Sequence, residues 1–293
     1  MRATIVERAP AKVNLALSVG PPGVDRMHPI ASWMVTVDLH DELLLTQLPE
    51  PSFSRYAILW HPEARRRSEI DWSITRDLAV RAHLALEEHV GRQLPLQLKL
   101  EKRIPVGGGL GGGSSNAAAM LRGVNALFGL GLTRAELAQI GASLGSDVPF
   151  LVHGGSAMVE GLGERIALLP PPPPLALTLI FPEAPCPTGK VYAIFDELGP
   201  AGLRSEGVRA LSAALRVDPS SPFNDLLPAA LQVAPTLEDD IAEIAAVAER
   251  PVHLSGSGST LFVVCDDPLH AEALASTITA RLDLPAVAVR ATG

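Results

Sequence analysis

Apolar and polar residues alternate from Val13 to Val19, the pattern of a half-buried strand, and a Gly/Pro loop closes it at Gly20 to Gly23. Met34 to Leu48 predicts a second strand-like stretch interrupted by a turn at DLHDE, and Ala57 to Trp60 a third. The period then changes. Leu78, Ala82, Leu86 and Val90 recur at helical spacing, and Gly91 stands where a helix would stop. Leu94 to Leu100 alternates strictly, as a strand does, and runs into a glycine-rich segment. Beyond it, Ala117, Met120, Leu121, Val124 and Phe128 share one face of a helix that begins near Ser114. Thr133 and Glu136 form a capping box before a further helix ending near Gly145, and Phe150 to Val152 reads as a short buried strand.

The proline run Pro170 to Pro174 forbids regular helix or central strand, so a stiff connector is expected there and a domain boundary near it, dividing residues 1–165 from 166–293. The second part predicts a strand at LALTLIF, a capped helix over Thr236 to Glu249 and two strands around SGSGST. A helix over Pro268 to Leu282 and a last strand from Ala286 to Ala291 follow. Strands and helices alternate in an α/β or α+β arrangement.

Composition narrows the function. Across 293 residues, 24 Lys+Arg stand against 32 Asp+Glu, and the only cationic run is Arg65 to Arg67, so no nucleic-acid surface is expected. With 47% hydrophobic residues the chain has enough apolar content for a real core, and disorder is excluded as its main state. No stretch is long and apolar enough for a spanning helix, and the first ten residues lack a signal-type apolar region, which predicts a soluble cytoplasmic protein with no membrane partner. Cys186 and Cys265 lie in apolar surroundings and read as inert small hydrophobes. The eight histidines show no metal-ligand spacing, so no protein metal site is expected.

The chemistry concentrates in one segment. Six glycines stand in the seven positions from Gly107 to Gly113, broken only by Leu110, removing side chains that would keep a ligand from the backbone. Because this loop feeds a helix, its free N–H groups and the helix dipole can receive a polyphosphate. A Walker loop is excluded, since Gly113 stands where the lysine must be. Gly107, Gly109 and Gly112 meet the dinucleotide spacing, but so glycine-rich a run meets it by chance.

Four motifs in order, APAKVNLAL, PVGGGLGGGSSNAA, LGSDVPFLVHG and HLSGSGSTLF, resemble the GHMP small-molecule kinases. GLGE at Gly161 to Glu164, CPTGKVY and FNDLLPAA look most like the branch acting on 4-diphosphocytidyl-2-C-methyl-D-erythritol. The resemblance implies an α+β, two-domain GHMP kinase fold: an N-terminal nucleotide domain like ribosomal protein S5 domain 2 and a C-terminal ferredoxin-like domain. It implies ATP with Mg2+ as phosphate donor and a small-molecule alcohol, the cytidine diphosphate-linked methylerythritol, as acceptor in isoprenoid biosynthesis. Another GHMP kinase, for homoserine, mevalonate or a sugar derivative, and a catalytically silent GHMP-fold sensor are the alternatives. A homodimer is one candidate assembly that the sequence leaves open.

By that resemblance the nucleotide lies on Pro105, Val106, Gly107, Gly108, Gly109, Leu110, Gly111, Gly112, Gly113, Ser114 and Ser115, and Asp147 with Lys12 forms the catalytic pair. The pair would act by position and charge, which suits the loose transition state of phosphoryl transfer. Asn14, His28, Thr188, Tyr192, Gly256 and Ser257 match acceptor-side positions. Where the branch reads DGYH, with a tyrosine stacked on cytosine, this chain has Asp25, Arg26, Met27 and His28; Asp77 stands where it often has Asn. Residue chemistry alone leaves plainer readings open: a turn aspartate at 147, strand-edge protection at Lys12, a helix cap at Ser115, a core tyrosine at 192 and a hairpin turn at SGSGST.

Overall fold

Glycine and proline punctuate the chain where its periodicity breaks, and the elements of the computed structural model, which describes residues 3–24 and 26–292, fall between them. They run β1 (Thr4–Val19), β2 (Ile30–Gln47), β3 (Arg55–Trp60), α1 (Leu78–Val90), β4 (Leu96–Lys102), α2 (Gly112–Phe128), α3 (Arg134–Ala142) and α4 (Val148–His153). Then come β5 (Ser156–Gly161), β6 (Arg165–Leu169), β7 (Ala176–Ile180), α5 (Thr188–Leu198), α6 (Ser205–Ser212), β8 (Phe223–Asn224), α7 (Leu227–Val233), α8 (Thr236–Ala248), β9 (His253–Leu254), β10 (Leu261–Cys265), α9 (Pro268–Leu282) and β11 (Ala286–Thr292). No helix among the described residues is long and apolar enough to cross a membrane. Two compact units interleave along the chain: Met1–Ala11, Leu39–Val106 and Gly111–Gly154 form one, and Lys12–Asp38, Gly107–Leu110 and Gly155–Gly293 the other.

In the first unit β2 pairs antiparallel with β4 from Glu42 opposite Glu101 to Gln47 opposite Leu96, and β3 adds to β4 in parallel. Leu43 and Leu45 of β2 and Leu96, Leu98 and Leu100 of β4 are buried together with Leu86 of α1 and Leu121 and Val124 of α2. Complete burial of each such side chain is worth about 1.5–3 kcal/mol. The helix α2 lies close on the sheet: a Cβ built on Gly123 would meet Leu45 Cδ1 at 2.4 Å. Asp77 caps α1 by accepting from Ala79 N, and Gly91 ends that helix in the left-handed region at φ 67°. The capping box of Thr133 and Glu136 opens α3.

Two expectations fail in this unit. DLHDE is no turn, since β2 runs unbroken through it with Asp41 fully buried. Phe150 to Val152 is not a strand but part of the helix α4, opened by Pro149 in its first turn. A short apolar run does not distinguish buried strand from buried helix; the proline, with its fixed φ and no N–H, favours a helix start.

The second unit holds the remaining sheet. β5 pairs antiparallel with the first part of β2, from Ile30 opposite Gly161 to Val35 opposite Ser156, and turns through GLGE into β6. β11 pairs with β2 at Thr36 and Val37 and with β7 along its length, β10 lies on the other side of β7, and β9 outside β10. β7 and β10 are buried at every position, as central strands covered on both faces are. Val191 and Phe195 of α5, Leu237 and Ile244 of α8 and Ile278 of α9 fill one core with Ile180, Leu261 and Val263. Cys186 and Cys265 are buried free thiols here, and burial raises the pKa of both, which keeps them protonated and unreactive.

β1 corrects a third expectation. It begins at Thr4 and is buried continuously from Ala11 to Val19 instead of showing one wet face. Its polar positions are satisfied inside the protein: Ser18 Oγ, for example, donates to Asp225 Oδ2 at 2.7 Å. The helix over Thr236 to Ala248 also lacks the expected side-chain cap, because Pro235 occupies the N-cap and Thr236 is already helical.

Candidate active site

The nucleotide-loop segment in the first unit is anchored by a residue that sequence reasoning missed. Asp41, reaching across from β2, accepts from Lys102 Nζ at 2.7 Å, Arg103 N at 2.6 Å, Ile104 N at 2.8 Å and Asn116 Nδ2 at 3.0 Å. One carboxylate thus ties the strand before the glycines to the helix after them. Its only signal in the sequence is an acid inside an otherwise strand-like stretch.

Gly111, in the left-handed region at φ 67°, is the N-cap of α2, and it provides no side-chain cap; no acidic residue occupies the first turn. Ser115 N reaches back to Gly111 O at 2.8 Å, while Gly112, Gly113 and Ser114 N–H have no bond to a partner among the described residues. Unsatisfied donors at the positive end of a 17-residue helix suit an anion, so these residues fit a triphosphate. Ser115 is not the cap: it is buried, and its hydroxyl donates to Pro10 O at 2.7 Å.

The glycines divide by task. A Cβ on Gly112 would meet Ile104 Cγ2 at 2.9 Å and one on Gly113 Leu78 Cδ1 at 3.3 Å, so both permit close helix packing. Gly107, at φ +72°, has nothing within 4 Å and opens to space. Gly109, at φ +77°, would put a Cβ 2.1 Å from Ser255 O. That oxygen is backbone and cannot swing away. Gly109→Ala is therefore expected to displace the loop and weaken ATP binding about 5- to 150-fold, by strain of about 1–3 kcal/mol; titration calorimetry with ATP measures it, and unchanged affinity would disprove the tight approach.

Asp147 stands at the N-cap of α4 with φ −84° and ψ −16°, and its side chain makes no cap hydrogen bond, so the plain capping role is not the one it plays. The turn that carries it lies against the first turn of α2, since a Cβ on Gly145 would sit 3.6 Å from Ser114 Oγ.

In the second unit the polar face of β1 gathers the other candidates. Lys12 is 4% exposed, far from a solvated edge lysine, and its Nζ donates to Asn14 Oδ1 at 2.6 Å. Asn14 Nδ2 donates to Ser32 Oγ at 2.8 Å, and Ser32 Oγ in turn to Ala16 O. SGSGST joins β9 to β10 as a turn, and also does more. Ser255 Oγ donates to Gly109 O at 3.2 Å, Thr260 N to Gly108 O at 3.1 Å, and Lys12 N to Leu110 O at 2.9 Å. A Cβ on Gly256 would lie 3.2 Å from Lys12 Nζ. Asn224, also missed from sequence, holds this turn by donating to Leu254 O and Gly256 O.

The remaining acceptor-side candidates collect around α5. Thr188 Oγ1 and Ser257 Oγ are hydrogen-bonded at 2.9 Å. The His28 ring lies 4.9 Å from Tyr192, tilted, and 6.1 Å from Phe195, edge-on. Tyr192 is thus half-buried against the core and also in contact with His28, so the two readings of it are not exclusive. Met27 is 51% exposed, and Asp25 lies outside the described residues.

A helix that opens on free N–H groups, with the turn that carries Asp147 against its first turn, is an arrangement that suits phosphoryl transfer. The family model of the GHMP kinases N terminal domain matches residues 77–155. Among curated relatives, the 4-diphosphocytidyl-2-C-methyl-D-erythritol kinase of Exiguobacterium sibiricum is 35% identical over 278 residues, covering 92% of this chain and 92% of its own. That of Symbiobacterium thermophilum is 43% identical over 205 residues, 70% of this chain and 69% of its own. A crystal structure of 4-(cytidine 5'-diphospho)-2C-methyl-D-erythritol kinase superposes with a TM-score of 0.77 at 32% identity, over 99% of this chain and 100% of that one. The chain belongs to the 4-diphosphocytidyl-2-C-methyl-D-erythritol kinase family of GHMP kinases, ATP-dependent phosphotransferases with the two-domain α+β GHMP fold.

Proposed function

We propose that this chain transfers the γ-phosphate of ATP to the 2-hydroxyl of 4-diphosphocytidyl-2-C-methyl-D-erythritol, in the cytoplasm, as a step toward isoprenoid precursors by the non-mevalonate route. The observation that carries the reading is 35% identity, across 92% of the chain, to a kinase of that name. The free N–H groups at the start of α2 take the triphosphate, within the span Pro105 to Ser115. Asp147 orients the acceptor hydroxyl and takes its proton late, and Lys12, held by Asn14, stabilises the charge that develops on the transferring group. Asn14, His28, Thr188, Tyr192, Gly256 and Ser257 hold the acceptor.

Magnesium, when bound, neutralises triphosphate charge. No group of three or more His, Cys, Asp or Glu side chains gathers among the described residues, so they offer no all-protein cage, and the triphosphate itself would supply part of the ion's ligands. Coupled ADP release with Mg-ATP tests the reading, with the cytidylyl alcohol run beside mevalonate, homoserine and galactose. Turnover is expected on the first alone. Turnover on one of the others instead would discard the substrate and keep the kinase.

A further inference from the structure

The helix α4 has six residues, too few to hold itself in water, so its place comes from what grips it. The carbonyls at its C-terminal end are all taken. Gly154 N donates to Phe150 O at 2.8 Å, Arg122 Nη1 to Leu151 O at 2.8 Å, and Arg134 Nη1 to both Val152 O at 2.9 Å and His153 O at 2.8 Å. Two guanidiniums therefore meet the negative end of one short helix, where positive charge is favoured.

Neither cation is explained by its own helix. Arg134 is the exposed first residue of α3, the end at which that helix's dipole disfavours a cation. Arg122 rises from the middle of α2 and also donates to Glu7 Oε2 at 3.3 Å and Arg8 O at 3.0 Å, so it ties α2 and the start of β1 to α4. Thus α2 carries free N–H groups in its first turn and, eight residues beyond Ser114, about 12 Å along the axis, the grip on α4. At its other end α4 starts from Asp147, whose carbonyl accepts from Leu151 N at 3.1 Å, so the carboxylate moves with the helix. We propose that Arg122 and Arg134 are positioning residues that fix the Asp147 carboxylate relative to the start of α2, and so set the alignment of the acceptor hydroxyl with the γ-phosphate. The inference rests on the roles proposed above for Asp147 and for the start of α2.

Arg134 carries the test, because an exposed side chain can be replaced without unfolding the protein, whereas removing Arg122 would strand Glu7. In coupled ADP release with Mg-ATP and the cytidylyl alcohol, Arg134→Met is expected to lower kcat about tenfold and leave both KM values within about twofold, since lost alignment acts on the chemical step. Arg134→Lys keeps a cation able to donate to both carbonyls and should recover part of the loss. In the Asp147→Asn enzyme the same Arg134→Met change should cost less than about threefold, because the two residues act through one carboxylate. Two readouts need no turnover. Hydrogen exchange at Leu151 N–H should quicken about tenfold in Arg134→Met. The His153 imidazole, whose pKa is lowered by burial and then by the Arg134 charge, should titrate higher in that variant. Native kcat in Arg134→Met, an equal loss in both backgrounds, or exchange and titration that do not move would overturn the proposal. If Asp147→Asn itself turns over at the native rate, the catalytic reading of Asp147 fails, and the exchange and the His153 titration still judge whether the guanidinium holds α4.

Discussion

Asp147→Asn is expected to lower kcat by about 100- to 1,000-fold while leaving ATP affinity within about twofold, the size of effect a positioned proton acceptor has. Asparagine keeps the shape of the side chain and can still accept a hydrogen bond, but cannot take up the hydroxyl proton. The fold should tolerate it, because asparagine matches aspartate in size and α4, from Val148, carries Pro149 in its first turn to fix its start. The expected loss lies in the lower part of the range for general bases, because phosphoryl transfer depends more on alignment and charge than on early deprotonation. Coupled ADP release gives kcat and calorimetry gives ATP affinity. Near-native turnover with normal binding would remove Asp147 from the catalytic role.

Asp41→Ala is expected to destabilise the protein by about 3–5 kcal/mol, the usual result of stranding one member of a buried ion pair. That is a large part of the stability of an ordinary domain. The Lys102 ammonium would lose its carboxylate partner, and the Arg103 and Ile104 N–H groups would lose their acceptor at the same time. Lys102→Met is expected to be milder, since Asp41 would keep three donors: Arg103 N, Ile104 N and Asn116 Nδ2. Guanidinium unfolding of both variants measures the difference. Equal midpoints would mean that the ion pair alone matters and the backbone anchoring does not. Because Asp41 also sets the approach to the glycine loop, the alanine variant should bind ATP more weakly wherever it remains folded.

Local chemistry carried much of the architecture. The helix stop at Gly91, the capping box at Thr133 and Glu136 and the helix over Pro268 to Leu282 all stand where the sequence alone predicts them. Each is decided by groups within a turn or so of one another, so nothing distant competes. The failures have the opposite character. Asp41 in DLHDE looks like a turn former because that preference is the local one, and it is outweighed by four donors, two side chains and two backbone N–H groups, that all come from residues 61 to 75 positions away. Phe150 to Val152 is apolar in either secondary structure, and the residue that favours the helix, Pro149, stands just outside the run.

By itself the sequence determined the family, the glycine loop proposed for the triphosphate and the identity of the chemical groups: a lysine, a carboxylate and a run of glycines in a fixed order. Tertiary structure alone decided what each polar group is bonded to. It set Lys12 on Asn14, Gly109 under Ser255, Asn224 behind the SGSGST turn and Asp196 on His28. Motifs are written in neighbouring residues and survive in a one-dimensional reading, whereas a buried donor finds its acceptor in whatever the fold brings within about 3 Å, and the separation along the chain carries no record of it.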